Sequence, residues 1–335
     1  MKETHRISVI GSGSWGTTLS DMFARNGIET TLYVRNKNLY ESMVQTGENS
    51  VYLKSIKLDK RLCLTNSLSF ALEKSDIIVT SIPVKYLRES LEALKKYVKN
   101  NHIFVSSSKG IENDTFFRPS EIIGDVLGID ENRIAVISGP NFAKEVARQL
   151  PSATVLASSN KDTARMLQQL FNNRYFRVYT SQDIAGVEIC GALKNIIAIA
   201  SGISDGLNLG HNAKASLITR GIAEMTKFGG NFSAKKETFM GLAGVGDLVL
   251  TCTGDLSRNR KVGLEIVKKR DINNVLDSMV MVAEGVNTVK SVFEWSLKNG
   301  VDMPISKGVY DILYNSKNPK DAVEELMRRP LKSEF

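Results

Sequence analysis

Cysteine and histidine are scarce in this 335-residue chain, with three of each. Cys63, Cys190 and Cys252 are too scattered for a disulfide framework or for zinc spacing. They read as reduced thiols of a cytoplasmic protein. His5, His102 and His211 are too dispersed for a metal centre or a Ser/His/Asp triad, so no metal is expected. No apolar run approaches the ~18–20 residues of a membrane span, which predicts no integral membrane segment. Met1 to Arg6 leads directly into a strand, so no signal peptide is expected. Repeats and low-complexity segments are also lacking. The net charge is +8, yet no dense basic arm interleaved with aromatics is found. That spread favours small anionic ligands over nucleic acid as partners.

The composition is that of an ordinary globular protein, 42% apolar and 24% charged. The length fits about two domains. The N-terminal organiser is Gly11-Ser12-Gly13-Ser14-Trp15-Gly16, after the apolar run Ile7 to Ile10 and before a helical pattern over 17–25. Strand, glycine turn and helix in that order match the dinucleotide-binding fingerprint. Gly11 permits the turn, Gly13 admits a pyrophosphate, and Gly16 lets the helix lie close to the sheet. The N–H groups at the helix start then face the anion. A glycine turn without a ligand has the same spelling, but the flanks favour the nucleotide.

A second strand, Thr30 to Val34, ends at Arg35. An NAD site usually has an acidic residue there, on the ribose 2′-hydroxyl. Arginine instead matches a 2′-phosphate, so NADP is expected over NAD, with NAD still possible. A plain exposed arginine is the competing reading. Residues 38–60 read as irregular. Strands are predicted at 61–65, 76–82, 102–106, 133–138, 152–157 and 175–180. Helices are predicted at 67–74, 84–98, 119–127, 141–150 and 160–171. This alternation predicts an α/β, doubly wound, mainly parallel Rossmann-type sheet over 1–182, leaving open an antiparallel course for its last strands.

Lys109 follows a strand's carboxyl end, where ligands bind in such sheets. It suits a phosphate or alcohol oxygen and equally a solvated loop. Gly139 allows close backbone approach, and Asn141 is placed to cap a helix. Beyond 183 strand signals stop, and an all-α domain over 183–335 is expected, packed closely on the first. Its helices are read at 183–201, 212–228, 259–269, 274–279, 285–299, 305–313 and 320–328.

Lys194 lies in an apolar helix, Cys190 to Ala198. Dehydration lowers a lysine pKa from about 10.4 towards the ~7–8 suited to acid/base work. A lysine snorkelling at the helix edge is the alternative. Glycines at 241, 244 and 246 form a turn that presents Asp247, which would hold the amine and oppose that shift. Ser257-Arg258-Asn259 opens a helix and reads as a phosphate cradle, or simply as a capped helix with a basic face. Glu284 suits the nicotinamide or ribose, or a helix cap. Met279, Met281 and Met303 read as core.

Gly-Ser-Gly-Ser-Trp-Gly-Thr, Ser-Lys-Gly at 108–110, Gly-Pro-Asn-Phe-Ala-Lys-Glu and Ala-Leu-Lys-Asn follow one another along the chain. Leu-Ile-Thr-Arg-Gly at 217–221, Gly-Asp-Leu at 246–248, Ser-Arg-Asn-Arg and Glu-Gly-Val complete the series. In this order, and end to end, they resemble the bacterial-type NAD(P)-dependent glycerol-3-phosphate dehydrogenases. The resemblance implies dihydroxyacetone phosphate and sn-glycerol 3-phosphate as substrates. It implies Lys194 as acid/base, with Lys109, Gly139, Asn141, Asn195, Asp247, Ser257, Arg258 and Asn259 around the substrate. Ser14, Trp15, Arg35, Lys109, Ala143, Arg258, Val282 and Glu284 would face the cofactor. A cytoplasmic homodimer serving glycerophospholipid synthesis is implied too. Asn141 and His211 depart from the usual residues, a Ser or Thr and an acidic residue. Two rivals stand: a 3-hydroxyacid dehydrogenase of the same plan, and a non-catalytic NADP-sensing protein. The Ser257-Arg258-Asn259 cradle argues against the first, and Lys194 with Asp247 against the second.

Overall fold

The computed structural model describes residues 5–269, 275, 283–331, 333 and 334. Two compact units divide the chain: residues 1–109 with 117–188, and residues 110–116 with 189–335.

The first unit is built on one sheet. Its strands are β1 (Ile7–Ile10), β2 (Thr30–Tyr33), β3 (Cys63–Thr65), β4 (Ile77–Thr80), β5 (Ile103–Ser106), β6 (Ile134–Ser138), β7 (Ser152–Ala157) and β8 (Phe176–Ser181). Their order across the sheet is β3-β2-β1-β4-β5-β6-β7-β8. The first six strands have the doubly wound dinucleotide order. Every pairing is parallel except β6 with β7, so β7 and β8 form a parallel pair running against the rest.

Side chains alternate across the sheet because the strand repeat is two residues. Ile77 and Val79 join one core with Phe23, Met43, Leu167 and Phe171. Ile78 and Phe104 join the other with Leu87, Leu91, Leu94, Ile122 and Ile123. The helices supplying those residues are α1 (Ser14–Arg25), α2 (Lys37–Thr46), α4 (Leu87–Leu94), α5 (Pro119–Leu127) and α7 (Lys161–Phe171). Between them in sequence lie α3 (Leu68–Glu73) and α6 (Ala143–Ala147).

The structure corrects three local expectations. Residues 37–46 are helical rather than irregular: Asn36 caps the start by accepting from Leu39 N, and Gly47, at φ 65°, ends the helix. The segment 84–98 is broken, with tight turns at Val84–Tyr86 and Lys95–Tyr97 flanking α4. Asn141 caps nothing; its Nδ2 donates to Pro140 O and Ala153 O, and α6 stops at Ala147.

The second unit is helical: α8 (Ile184–Gly206), shared with the first unit through Glu188, α9 (Gly210–Gly230), α10 (Lys236–Phe239), α11 (Asp247–Thr253), α12 (Arg258–Lys269), α13 (Glu284–Lys298), α14 (Pro304–Tyr314) and α15 (Pro319–Met327). Of the helix expected at 274–279, only Val275, helical and buried, is among the described residues; Met279 and Met281 lie outside them. Segment 110–116 joins this unit through Ser291 Oγ, 3.0 Å from Ile111 O.

By length and composition alone α8 could cross a membrane, but 83% of its apolar stretch is buried inside the protein, as in a core helix. Two buried carboxylates brace helix starts. Glu188 accepts from Ser120 N and Oγ and from Arg118 Nη1 in the first unit. Glu224 accepts from Ile305 N, Ser306 N and Ser306 Oγ in the second. Burial pushes both carboxyls above their usual range, against the pull of those donors.

Candidate active site

The glycine loop sits where β1 passes into α1, at the carboxyl edge of the sheet. Its three glycines have different reasons to be glycine. Gly11 has φ 120°, and a Cβ there would lie 2.4 Å from Ser81 O. A Cβ on Gly16 would lie 1.9 Å from Gly11 O, which forbids any side chain. A Cβ on Gly13 would meet no protein atom within 4 Å, so packing inside the chain gives no reason for glycine there. A pyrophosphate approaching the backbone does give one, and the residues present fit a bound dinucleotide on that ground. No side chain caps α1, so the backbone N–H groups of its first turn stay available to an anion.

Several contacts brace the loop. Buried Asn49, from the stretch read as irregular, donates to Ser12 O at 2.9 Å and to Thr17 Oγ1 at 2.8 Å. Sequence reasoning missed it, since nothing local marks so distant a partner. Thr18 Oγ1 lies 2.8 Å from Ser14 O and 3.2 Å from Ala143 O, which brings Ala143 beside the helix start. The Trp15 ring packs on the core, 6.3 Å from Phe176.

Arg35 stands just past β2, whose last residue pairs with Ile10 at the end of β1. It is exposed. Lys109 follows β5, and its Nζ donates to Gly139 O at 3.3 Å. Gly139 must be glycine because of β7: a Cβ would lie 2.9 Å from Thr154 Cα.

In the second unit, Lys194 Nζ donates to Asp247 Oδ1 and to Thr251 Oγ1, each at 2.7 Å. The lysine side chain is 8% exposed and the aspartate 2%. This excludes the snorkelling reading and places a charged pair in a dry setting. Asp247 reaches it through a π-helical turn, Leu242–Gly246, closed by Gly246 N on Gly241 O. A Cβ on Gly244 would lie 2.0 Å from Phe239 O, so the turn depends on that glycine. Thr251 lies one helical turn beyond Asp247 and also donates to Asp247 O at 2.6 Å. The sequence carried its signal, an i, i+4 spacing on α11, but that spacing has no chemical meaning until Lys194 is brought alongside. Next on α11, burial pushes the Cys252 thiol up to about 12, which removes it as a nucleophile.

Ser257 caps α12 as expected, accepting from Arg260 N at 3.2 Å. Arg258 and Asn259 form the first turn. Asn195, next to the lysine on α8, accepts from Asn259 Nδ2 at 2.8 Å. Glu284 opens α13, and Gly285 N donates to Asn259 Oδ1 at 3.1 Å. Val282 lies outside the described residues. His211 is exposed on α9.

The residues predicted from sequence therefore fall into two sets. Gly11, Gly13, Ser14, Trp15, Gly16, Arg35, Lys109, Gly139, Asn141 and Ala143 lie along the sheet's carboxyl edge and the loops after it. Lys194, Asn195, Asp247, Ser257, Arg258, Asn259 and Glu284 are gathered on α8, α11, α12 and α13. The second set joins a buried amine, its carboxylate partner and a helix start, a combination able to move a proton and hold an anion.

Two family models match the chain. That described as NAD-dependent glycerol-3-phosphate dehydrogenase N-terminus covers residues 6–164, and the corresponding C-terminus covers 183–324. A curated relative from Syntrophotalea carbinolica, "Glycerol-3-phosphate dehydrogenase [NAD(P)+]", is 47% identical over 98% of this chain and 99% of its own length. A relative of the same name from Geobacter sulfurreducens is 48% identical over 99% of both chains. The crystal structure of glycerol-3-phosphate dehydrogenase from Coxiella burnetii superposes with a TM-score of 0.93 at 37% identity, covering 97% of this chain and 99% of that one.

Proposed function

The chain belongs to the NAD-dependent glycerol-3-phosphate dehydrogenase family, and on that premise we propose a role for each residue of its site. It is an oxidoreductase that interconverts dihydroxyacetone phosphate and sn-glycerol 3-phosphate with a nicotinamide dinucleotide. When bound, the dinucleotide supplies or accepts the hydride at C2 of the substrate.

Lys194 Nζ carries the proton. In reduction it protonates the C2 oxygen as the alkoxide forms, and in oxidation it takes that proton back. Asp247 and Thr251 fix the amine's position, each 2.7 Å away. Lys109 and Asn195 donate to the same oxygen, stabilising charge that exists only as the reaction proceeds. Arg258, Ser257 and the first N–H groups of α12 hold the substrate phosphate, and Gly139 and Asn141 also contact the substrate. Binding energy from that remote group aligns C2 for transfer.

In the first unit, the N–H groups at Ser14 and Trp15 hold the pyrophosphate. Ala143 lies against the same helix start, and Arg258, Val282 and Glu284 complete the cofactor contacts. Arg35 grips a 2′-phosphate, so NADPH is preferred and NADH is used less well. The enzyme works as a cytoplasmic homodimer supplying glycerophospholipid synthesis. Family likeness supports the dimer, and the three scattered cysteines fit a reducing compartment.

The buried Lys194–Asp247–Thr251 cluster carries this reading. NADPH oxidation with dihydroxyacetone phosphate tests it. Lys194→Ala should abolish turnover while NADPH still binds; turnover near the wild-type rate rejects Lys194 as the acid/base. Asp247 would be left buried without its amine partner, so stability should drop by about 3–5 kcal/mol.

A further inference from the structure

Both polar atoms of the Asn259 side chain are engaged inside the second unit. Oδ1 accepts from Gly285 N at 3.1 Å, and Nδ2 donates to Asn195 Oδ1 at 2.8 Å. The two amides are nearly dry, Asn259 8% and Asn195 4% exposed. We propose that Asn259 is a positioning residue that locks the polarity of the Asn195 amide, so that Asn195 meets the substrate as a hydrogen-bond donor.

The lock starts from a backbone group. A peptide N–H only donates, so the Asn259 atom facing Gly285 N must be its oxygen. The other end of that amide is then Nδ2, which only donates. The Asn195 atom opposite must therefore be Oδ1. Asn195 Nδ2 is turned the other way, and there it donates to Gly191 O at 3.3 Å. That bond uses one of its two hydrogens and leaves the second for a ligand. A single donor that cannot flip thus fixes two side chains that otherwise could.

Gly285 makes the approach possible. A Cβ there would lie 2.8 Å from Asn195 O and 2.9 Å from Asn259 Oδ1. The start of α13 is thereby held against both α8 and α12.

Polarity matters to the reaction. A donor stabilises oxygen that is gaining negative charge, whereas an inverted amide would set its own oxygen against it. Asn259 thus differs in role from Ser257 and Arg258, although it is adjacent to them in sequence. This inference rests on the reading that Asn195 faces the substrate oxygen.

A double-mutant cycle tests it. In Asn259→Asp a carboxylate still accepts from Gly285 N but has no hydrogen for Asn195, whose amide then inverts. For this variant kcat should fall about tenfold or more, with the KM for dihydroxyacetone phosphate changed less than about threefold. In an Asn195→Ala background the same change should cost less than about twofold, because the group it positions is gone. Asn259→Ala, which introduces no charge, should show the same loss of additivity if the aspartate variant does not fold. Unchanged NADPH affinity and thermal midpoint in the variant used show that the fold is retained. Losses that multiply across the two backgrounds, or that fall on KM alone, overturn the positioning role and make Asn259 a direct substrate contact. If Asn195→Ala itself turns over at the wild-type rate, the substrate-facing reading of Asn195 fails, and this proposal fails with it.

Discussion

Gly202 on α8 and Gly263 on α12 meet backbone to backbone. A Cβ on Gly202 would lie 2.0 Å from Arg260 O, and one on Gly263 would lie 2.1 Å from Ile199 O. The crossing sets the helix that carries Lys194 and Asn195 directly against the helix that begins at Arg258. Two helices with ordinary side chains at the contact stay about 8–10 Å apart, which would draw Ser257 and Arg258 away from the amine.

Gly202→Ala and Gly263→Ala should therefore lose both stability and turnover. Overpacking a rigid backbone contact costs about 1–3 kcal/mol and sometimes more. Urea denaturation and kcat measured together check this. A stable variant with normal kcat would show that the crossing tolerates separation.

Gly13 and Gly16 should separate binding from folding. Gly13→Ala adds a methyl group where no protein atom lies within 4 Å. Its stability should stay within about 0.5 kcal/mol of wild type, as for substitutions away from packing, while NADPH affinity falls. Gly16→Ala drives a methyl group to 1.9 Å from Gly11 O and should destabilise the fold itself. Thermal melts and fluorescence titration with NADPH distinguish the two, and equal affinity in Gly13→Ala would reject the pyrophosphate assignment.

Arg35→Asp should move the preference from NADPH towards NADH. The carboxylate repels a 2′-phosphate and accepts from a 2′-hydroxyl. The ratio of kcat/KM for the two cofactors is the measurement, and an unchanged ratio removes the 2′-phosphate argument.

Acid should weaken the fold partly through Asp311. Burial alone would raise this carboxyl, but hydrogen bonds from Lys307 and Asn315, with the charges of Lys307 and Lys317, hold it below its usual value of 3.8. A lowered native value means that the unfolded chain binds the proton more readily. The stabilisation is therefore complete above the ordinary carboxylate value and is lost as pH falls through the depressed one. Between about pH 5 and about pH 2, wild type should lose more stability than Asp311→Asn, whose side chain does not titrate in that range. Parallel stability curves for the two proteins would rule the contribution out.

Most of the fold was legible because its signals are local. Strand and helix periodicity, Pro119 opening α5 and Ser257 capping α12 each act within a few residues. The helix at 37–46 was misread as irregular: Asn36 and Gly47 bracket it, but its polar composition masked them. Asn141 was misread because its side chain prefers Ala153 O, twelve residues on, to the helix beside it.

The sequence alone determined the glycine turn, the alternating sheet, the helical second half and the residue types able to do the chemistry, since short-range geometry dictates all of these. Only the tertiary structure decided which of those residues meet. Thr251 reaches Lys194 across 57 positions, and Gly285 sets the polarity of Asn195 through Asn259. Such contacts arise where packed helices bring distant side chains together, and nothing in the neighbouring sequence specifies them.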